Sequence, residues 1–262
     1  MSRILVSDQL ANEGLEILKA VKEFQVDYKT DLKPEQLKAI IKDYDALIVR
    51  SGTKVTEDII QAATRLKFIG RAGVGLDNVD LKAATQKGIV AINTPAGNTT
   101  STAEHTMSMI LALSRNIPQA CASVKAGKWE RSKFSGVELH GKTLGIIGFG
   151  RIGSTVARYA KAFSMSVIVF DPYISLEVGA TLGVQMVGLK ALIKGSDYIT
   201  IHIPKSAETK NLIGEAEFQS MKKTARLINC ARGGIVDETA LANALAEKRI
   251  AGAALDVFSA EP

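Results

Sequence analysis

Three glycines and one aspartate carry the clearest chemical signal in the sequence. Gly148, Gly150 and Gly153 follow an apolar run at residues 144–147 in the order G-x-G-x-x-G, and a helical pattern of apolar residues comes next. Asp171 ends a second apolar run, 18 residues after the last glycine. This order of strand, glycine turn, helix, strand and acid is typical of a unit that binds a dinucleotide. Because a lone glycine motif also occurs in plain turns, the inference depends on this surrounding pattern.

Each of these residues has a physical role in such a unit. Gly148 permits a tight turn, Gly150 lets the backbone approach a pyrophosphate, and Gly153 lets helix and strand pack closely. Free N–H groups at the start of the helix hold the phosphate charge. Asp171 would accept hydrogen bonds from a ribose diol and would repel a 2′-phosphate, and no arginine directly follows it. The sequence therefore predicts NAD as the cofactor in preference to NADP.

Length and composition restrict the classes of protein that the chain can be. A chain of 262 residues suits two domains of ordinary size better than one. The formal net charge is +6, but without a dense Lys/Arg block we expect no nucleic-acid partner. No apolar run approaches the length of a membrane span, so we expect no membrane contact. Cys121 and Cys230 fit neither a disulfide framework nor a metal site, which favours a reducing cytoplasm.

The order of predicted elements is that of an α/β protein. Short apolar strands alternate with amphipathic helices, from a first strand at residues 3–7 to a last one at residues 252–257. The alternation predicts two parallel-sheet domains of Rossmann-like or flavodoxin-like type. A smaller one covers residues 1–93, and a doubly wound, dinucleotide-binding one covers residues 94–262. Turn-forming residues at 93–98 break the pattern and predict a hinge.

Longer stretches of the sequence resemble one enzyme family. Residues 70–80 and 229–237, the dinucleotide motif above, residues 255–258 and the pair Glu261-Pro262 are similar to the D-2-hydroxyacid dehydrogenases. The resemblance covers the whole chain, and its motifs are long and ordered. It implies transfer of a hydride between carbon 2 of a 2-hydroxy acid and NAD.

Within this family, one branch is favoured by the Trp-Glu-Arg segment at residues 129–131. That branch oxidises 3-phosphoglycerate to 3-phosphohydroxypyruvate, the first step of serine biosynthesis. The implied partner is a phosphorylated 2-hydroxy acid, with residues 1–93 as a substrate-binding lid domain. Two alternatives stay open, namely action on another D-2-hydroxy acid and a non-catalytic NAD-binding regulator or fragment.

The resemblance implies catalytic roles for Arg232 and Glu261. Arg232 would hold the substrate carboxylate and polarise its carbon-2 oxygen, and Glu261 would orient and tune a histidine base. In the family this histidine lies in a Pro-His motif beyond the position of Glu261, and the chain ends before it. We therefore expect an NAD-binding domain that lacks its C-terminal end, and a chain that is inactive or weakly active.

The three histidines of the chain do not replace that base. His105 lies in a long predicted helix and is expected to be a packed helix residue. His140 precedes a glycine in a turn and is expected to be exposed. His202 ends a strand of the dinucleotide-binding domain, where the resemblance places it near the cofactor without a proton-transfer role.

The resemblance also implies a set of ligand-contacting residues. Arg50, with Arg71, would meet the substrate phosphate, and the backbone of loop 71–75 would bind the substrate carboxylate. The expected substrate-binding residues are Arg50, Ser51, Arg71, Gly73, Val74, Gly75 and Asn98. The expected cofactor-binding residues are Val74, Gly148, Gly150, Arg151, Ile152, Gly153, Asp171, His202, Ile203, Cys230, Ala231 and Asp256. Cys230 is expected to be an inert thiol rather than a nucleophile.

A long predicted helix bears on assembly. It runs from a cap at Thr100 or Ser101 to about Ser114 and has more apolar surface than one domain edge would bury. The apolar residues concerned are Met107, Met109, Ile110, Leu111 and Leu113. Because the family pairs two nucleotide-binding domains through this region, we expect a homodimer, with a tetramer as a larger alternative.

Overall fold

The computed structural model describes residues 1–261, without the side chain of Val178, and the chain divides into two compact units, Met1–Asn98 and Thr99–Pro262. Pro262, half of the Glu261-Pro262 pair, lies outside the described residues. The division falls after residue 98 and not after residue 93. Segment 94–98 stays with the first unit because the Thr94 N–H donates to the Gly73 carbonyl oxygen (3.0 Å).

The first unit is a five-stranded sheet with four helices. Its strands are β1 (Ser2–Val6), β2 (Phe24–Tyr28), β3 (Ala46–Val49), β4 (Phe68–Arg71) and β5 (Val90–Asn93). Its helices are α1 (Asn12–Lys19), α2 (Pro34–Ile40), α3 (Glu57–Ala62) and α4 (Leu81–Gln86), with a 3₁₀ turn at Ile41–Asp43. The strand order is β2-β1-β3-β4-β5 and every pairing is parallel. This is the flavodoxin-like order, which reverses between β1 and β3.

One face of this sheet holds the core of the first unit. Leu5, Leu47 and Ile69 project from neighbouring strands into a cluster formed with α2, α3 and α4. The opposite face is less covered near its edge. There, three apolar side chains from β4 and β5 share a face and are half exposed: Phe68 (50%), Val90 (50%) and Ile92 (56%).

The second unit is a six-stranded sheet with seven helices in its described residues. Its strands are β6 (Thr143–Ile147), β7 (Ser166–Phe170), β8 (Gln185–Met186), β9 (Tyr198–Ile201), β10 (Arg226–Asn229) and β11 (Gly252–Leu255). Its helices are α5 (Thr99–Ser114), α6 (Ile117–Lys125), α7 (Arg151–Ala162), α8 (Leu176–Thr181), α9 (Leu189–Gly195), α10 (Glu215–Ser220) and α11 (Glu238–Ala246), with a 3₁₀ turn at Arg131–Phe134.

The sheet of the second unit has the order β11-β10-β9-β6-β7-β8, all parallel. This is the doubly wound order of dinucleotide-binding proteins, which reverses between β6 and β9. Two separate core clusters, one containing Ile146 and Val169 and the other Ile199 and Leu227, cover its two faces. Strands buried on both faces explain the continuous apolar runs of the sequence. The predicted fold class, two parallel α/β sheets with one doubly wound, is confirmed.

Helix α5 corrects two expectations. It begins at Thr99, so Thr100 and Ser101 lie inside its first turn and are not its cap. Met107 and Ile110 are buried within the second unit, where α5 packs on α7, β10 and β11. We expected this helix to have more apolar surface than one domain edge would bury. For Met107 and Ile110 that expectation is wrong, because the sheet and α7 cover both side chains. The other three, Met109, Leu111 and Leu113, are half-buried.

A groove lies beside α5 on the surface of the second unit. Its volume is about 450 Å³, and its lining residues, from α5, α7 and the residue that follows α7, are Glu104, Met107, Ser108, Leu111, Tyr159, Ala162 and Phe163. The longest helix in the described part of the chain is α5, with 16 residues. Over residues 1–261 we find no helix long and apolar enough to cross a membrane.

Candidate functional site

The turn between β6 and α7 depends on its glycines. Gly148 has a φ of +92°, and a Cβ there would lie 2.6 Å from the His202 carbonyl oxygen. A Cβ on Gly153 would collide with the Gly148 carbonyl oxygen, so α7 can pack this closely on β6 only with glycine at that position. At Gly150, by contrast, no described atom lies within 4 Å of a Cβ position. The backbone at Gly150 is therefore open to a ligand, while the other two glycines shape the turn.

Asp171 follows β7 and holds this turn. One carboxylate oxygen accepts a hydrogen bond from the Phe149 N–H (2.7 Å), and the other accepts one from the Tyr173 N–H (2.8 Å). A carboxylate has about four acceptor positions, so further donors can still be accommodated. The glycine turn, the start of α7 and this carboxylate are thus adjacent, which is the arrangement that a pyrophosphate and a ribose diol require.

The remaining residues expected near this turn lie around it. Arg151 is the exposed first residue of α7, and Ile152 is half-buried against the core. Ile203 contacts the Gly148 side of the turn, since a Cβ on Gly148 would lie 2.6 Å from its Cγ2. Helix α7 begins here with main-chain N–H groups that have no partner inside the helix.

His202 joins the two strands where the sheet order reverses. Its N–H donates to the Ile147 carbonyl oxygen (2.7 Å), and its Nε2 lies 3.1 Å from the Thr200 hydroxyl oxygen. Burial of the ring lowers the pKa of His202 to about 4. The imidazole is therefore neutral at physiological pH and is a weak proton acceptor.

The turn after β10 positions Arg232. Buried Asn229, 2% exposed, accepts a hydrogen bond from the Ala231 N–H (3.0 Å) and donates to the Arg232 carbonyl oxygen (3.0 Å). The half-buried Arg232 guanidinium donates to the Ala231 carbonyl oxygen (2.7 Å). A Cβ on Gly233 would collide with the Phe258 backbone, so this turn packs directly on the turn after β11.

The turn after β11 contains Asp256 and Glu261. Asp256 donates its N–H to the Asn229 carbonyl oxygen (3.0 Å), and its carboxylate lies 3.3 Å from His105 Nε2. The expectation that His105 is a packed helix residue is therefore wrong, because its side chain is 46% exposed and pairs with Asp256. Exposed Glu261 accepts a hydrogen bond from the Phe258 N–H (3.2 Å). His140 is exposed, as expected.

Cys230 lies between Asn229 and Ala231 and is 8% exposed. Burial raises the pKa of its thiol to about 11, opposed by a hydrogen bond with Thr106. A thiol with this pKa stays protonated near neutral pH, so Cys230 is not an activated nucleophile. In the described chain, no three His, Cys, Asp or Glu side chains converge as metal ligands.

In the first unit, the expected substrate residues lie at the carboxyl ends of β3 and β4. The Arg71 guanidinium donates to the Gly75 carbonyl oxygen and to the Ser51 hydroxyl (3.3 Å). The Arg50 side chain is exposed and donates to the Gln9 carbonyl oxygen (3.3 Å). The structure therefore brings Ser51, Arg71 and Gly75 into contact, with Arg50 preceding Ser51 in the chain.

The loop 71–75 only partly matches the expected anion-binding backbone. The N–H groups of Ala72 and Gly73 are already used, because they donate to the carbonyl oxygens of Val49 and Arg71 (both 2.9 Å). The N–H group of Gly73 is thus engaged within the loop, and Gly73 stays a predicted substrate-binding residue. The N–H groups of Val74 and Gly75 have no backbone acceptor among the described residues. Asn98 is exposed at the end of this unit.

Sequence reasoning missed three residues that hold these turns: Asp8, Asn78 and Asn229. Asp8 follows β1 and Asn229 ends β10, so a search for polar residues at the carboxyl ends of parallel strands could have found both. Asn78 lies in a loop inside residues 70–80 and shows no local signal, since its partners are 25 and 28 residues away.

The fold and the glycine turn define the second unit as a dinucleotide-binding domain. Residues 107–262 match the family model described as D-isomer specific 2-hydroxyacid dehydrogenase, NAD binding domain. The chain belongs to the D-isomer-specific 2-hydroxyacid dehydrogenases, and its second unit is their NAD-binding domain.

Known relatives agree with this assignment. The chain is 52% identical over 262 residues to D-3-phosphoglycerate dehydrogenase of Synechocystis sp., covering 100% of this chain and 47% of that protein. It is also 52% identical over 263 residues to the enzyme of the same name from Methanocaldococcus jannaschii, covering 100% and 50%. The chain thus spans about half the length of the curated relatives it matches. A structure of D-lactate dehydrogenase from Aquifex aeolicus, complexed with NAD and lactic acid, has a TM-score of 0.87 at 33% identity, covering 98% of this chain and 77% of that one.

Proposed function

We propose that the chain binds NAD and a phosphorylated 2-hydroxy acid, as part of an enzyme that oxidises 3-phosphoglycerate to 3-phosphohydroxypyruvate, the first step of serine biosynthesis. The observation that carries this proposal is the open Gly150 backbone beside the Asp171 carboxylate, at the point where the sheet of the NAD-binding domain reverses. The similarity to proteins named D-3-phosphoglycerate dehydrogenase supports the choice of substrate.

The residues present fit the cofactor. Gly150 and the start of α7 would hold the pyrophosphate, because main-chain N–H groups there carry partial positive charge. Asp171 accepts the ribose hydroxyls while it keeps its two hydrogen bonds to the turn. When bound, NAD supplies the acceptor for the hydride that leaves substrate carbon 2. By resemblance to the family, we assign Ile203, Ala231 and Asp256 to the lining of the cofactor pocket.

Each unit, taken by itself, carries candidate arginines for the substrate. Arg232 binds the substrate carboxylate and the oxygen on carbon 2, since a guanidinium presents paired donors to two oxygens. Arg50 binds the phosphate, and Val74 and Gly75 offer N–H groups that remain available. Asn229 keeps Arg232 in place through the turn after β10.

We propose that none of the three histidines takes the substrate proton. His202 is a poor acceptor at a pKa of about 4, and His105 is engaged with Asp256. His140 is exposed in the turn before β6. Binding of cofactor and substrate is therefore the decisive measurement for this chain. NADH formation by the chain that is lost in His202→Asn, with NAD affinity unchanged, would contradict this assignment.

Cofactor choice is tested by calorimetric titration with NAD and NADP. We expect tighter binding of NAD, because the Asp171 carboxylate repels a 2′-phosphate at short range. Asp171→Ala should narrow the difference by weakening NAD more than NADP. Equal affinities in the wild-type chain would remove Asp171 from the ribose site. A chain that binds lactate or glycerate as tightly as 3-phosphoglycerate would instead favour another D-2-hydroxy acid.

We further propose a homodimer formed through the second unit. Half-buried Leu111 and Phe163, which is 42% exposed, border the groove between α5 and α7 and supply apolar surface for a second copy. Light scattering at micromolar concentration should find the dimer mass. Leu111→Glu should yield a monomer, whereas Leu182→Glu, at a 50% exposed position elsewhere on this unit, should not. A monomeric wild-type chain would overturn this assignment.

A further inference from the structure

A polar network encloses the loop of residues 50–53, where the sheet of the first unit reverses between β1 and β3. Asp8, two residues after β1, accepts hydrogen bonds from three groups of this loop. Its Oδ2 accepts from the N–H of Arg50 (2.5 Å) and the N–H of Thr53 (3.1 Å), and its Oδ1 accepts from the Thr53 hydroxyl (2.9 Å). Three groups of the loop are thus held by one carboxylate.

Asn78 holds the same loop from its other side. Its Nδ2 donates to the carbonyl oxygens of Arg50 (2.7 Å) and Thr53 (2.6 Å). These two acceptors settle the orientation of the side-chain amide. The Asn78 Oδ1 is buried and accepts no hydrogen bond from the described residues. Asp8 and Asn78 therefore hold the N–H and the carbonyl oxygen of Arg50, the two polar backbone groups of that residue.

Two further contacts keep the loop in this position. The hydroxyl oxygens of Ser7 and Thr53 are 2.9 Å apart. A Cβ on Gly52 would lie 2.8 Å from Asp8 Oδ1, so a larger residue there would displace this carboxylate. The backbone that carries Arg50 is consequently restrained at several atoms, whereas the Arg50 side chain is exposed.

The network also decides which groups can meet an anion here. Ligands of such sheets bind beyond the carboxyl ends of the strands at the point of reversal. The N–H groups of Arg50 and Thr53 would be natural anion donors, but Asp8 already occupies both. The N–H groups of Arg50 and Thr53 are therefore not available to an incoming phosphate. Arg50 can reach a phosphate only through its side chain, whose location depends on the backbone that carries it.

We propose that Asp8 and Asn78 are positioning residues for the substrate phosphate: they fix the backbone of Arg50 so that its guanidinium meets the phosphate of the 2-hydroxy acid. The proposal rests on the proposed function, in which Arg50 is the phosphate ligand. Asp8 acts through its hydrogen bonds and against its own charge, since a carboxylate near a phosphate is repulsive. Hydrogen bonding and charge can therefore be separated by substitution.

Asp8→Asn and Asp8→Ala separate the two effects. In Asp8→Asn the amide oxygen can still accept from the two N–H groups, and the amide nitrogen can donate to the Thr53 hydroxyl. Asp8→Ala removes all three hydrogen bonds. Both substitutions remove the charge. A positioning role therefore predicts a loss only in Asp8→Ala, whereas a purely electrostatic role predicts tighter phosphate binding in both.

The experiment is calorimetric titration of the 262-residue chain, saturated with NAD, with 3-phosphoglycerate and with D-glycerate. The ratio of the two affinities measures phosphate recognition within each variant and is insensitive to a partial loss of folded protein. We expect the wild-type chain to prefer 3-phosphoglycerate by about tenfold or more, as for one charge-assisted contact. Asp8→Ala and Asn78→Ala should each reduce this preference at least about fivefold, with Asp8→Asn within about twofold of wild type.

Asp58→Ala is the matched control, because Asp58 is a 79% exposed aspartate of the same unit. Its preference should equal that of the wild type. An unchanged preference in Asp8→Ala, or equal tightening in both Asp8 variants, would overturn the positioning role while leaving the proposed substrate intact. A wild-type chain without any preference for 3-phosphoglycerate would instead overturn the proposed substrate, and the positioning role with it.

Discussion

The two units each reverse their strand order once, and the two points of reversal are built from different atoms. Between β6 and β9, the site consists mainly of backbone, shaped by Gly148 and Gly153 and left open at Gly150. Between β1 and β3, it consists of side chains held by other side chains, with Asp8 and Asn78 fixing the loop that carries Arg50. A backbone site leaves a local glycine pattern, whereas a side-chain site depends on partners that are distant in sequence.

The two sheets also differ in how completely their faces are buried. The sheet of the second unit has buried clusters on both faces, while that of the first unit leaves Phe68, Val90 and Ile92 half exposed near its β5 edge. The backbone site thus lies on the more completely buried sheet. If the comparison is correct, changes at the glycine turn should act mainly on the fold or on NAD, and changes around Arg50 mainly on the substrate.

The largest effect is expected for Gly153→Ala. The added Cβ would collide with the Gly148 carbonyl oxygen, so α7 must move away from β6. We expect the free energy of unfolding to fall by about 3 kcal/mol or more, and NAD binding to be lost. Urea denaturation and NAD titration would measure both. Gly188→Ala, where no described atom lies within 4 Å of the Cβ position, should change neither; similar losses in both variants would count against a specific packing role.

Arg50→Ala tests the side-chain site. Loss of one charge-assisted contact should weaken 3-phosphoglycerate binding by roughly 1.5–3 kcal/mol and leave NAD affinity unchanged. Arg50→Lys should fall between wild type and alanine, because it keeps the charge without the guanidinium fork. Arg249→Ala, at an exposed arginine of the second unit, serves as the control. Unchanged substrate affinity in Arg50→Ala would remove this residue from the phosphate site.

Gly150→Ala separates ligand approach from folding. Because its Cβ would point into open space, the thermal midpoint should stay the same. A pyrophosphate that needs close backbone approach should bind about tenfold more weakly, or ~1.4 kcal/mol. Calorimetry and a melting curve on the same sample would check this. Full NAD affinity in the variant would place the pyrophosphate elsewhere.

The smallest effect is expected for Tyr44→Phe in the first unit. The hydrogen bond from Tyr44 to Asp27 (2.7 Å), and then the Arg3 guanidinium, lower the pKa of the Asp27 carboxyl. A lowered pKa contributes stability that is present above the unfolded value of about 3.9 and is lost as pH falls through the folded value. Tyr44→Phe should therefore cost about 1 kcal/mol at neutral pH and reduce the stability lost on acidification.

Denaturation curves at pH 7 and pH 3 would measure this difference. Tyr28→Phe is the control, because Tyr28 lies on β2, the strand that carries Asp27, and is 43% exposed. NAD affinity should be unchanged in both variants, since Tyr44 belongs to the first unit. An equal acid loss in wild type and Tyr44→Phe would show that Asp27 takes its stabilisation from elsewhere.

The sequence by itself determined both parallel sheets and the glycine turn. Buried parallel strands are continuous apolar runs, and a turn that requires glycine at Gly148 and Gly153 leaves those glycines at fixed spacing. The first strand, predicted at residues 3–7, is observed at Ser2–Val6, because the signals that mark a buried strand are local. Helix α6 was missed, since its residues Ile117–Lys125 include none that is buried and so show little core-facing pattern.

Only the tertiary structure decided how the side chains were used. The His105–Asp256 pair joins α5 to the end of β11. The hydrogen bond from the Gly73 N–H to the Arg71 carbonyl oxygen depends on the path of one loop. The hydrogen bond from the Arg50 N–H to the Asp8 carboxylate links the ends of β1 and β3 through two residues that are 42 positions apart in the chain. Such contacts arise from sheet order and loop path, which residue spacing does not encode, because parallel strands bring together chain segments that are joined only through long crossovers.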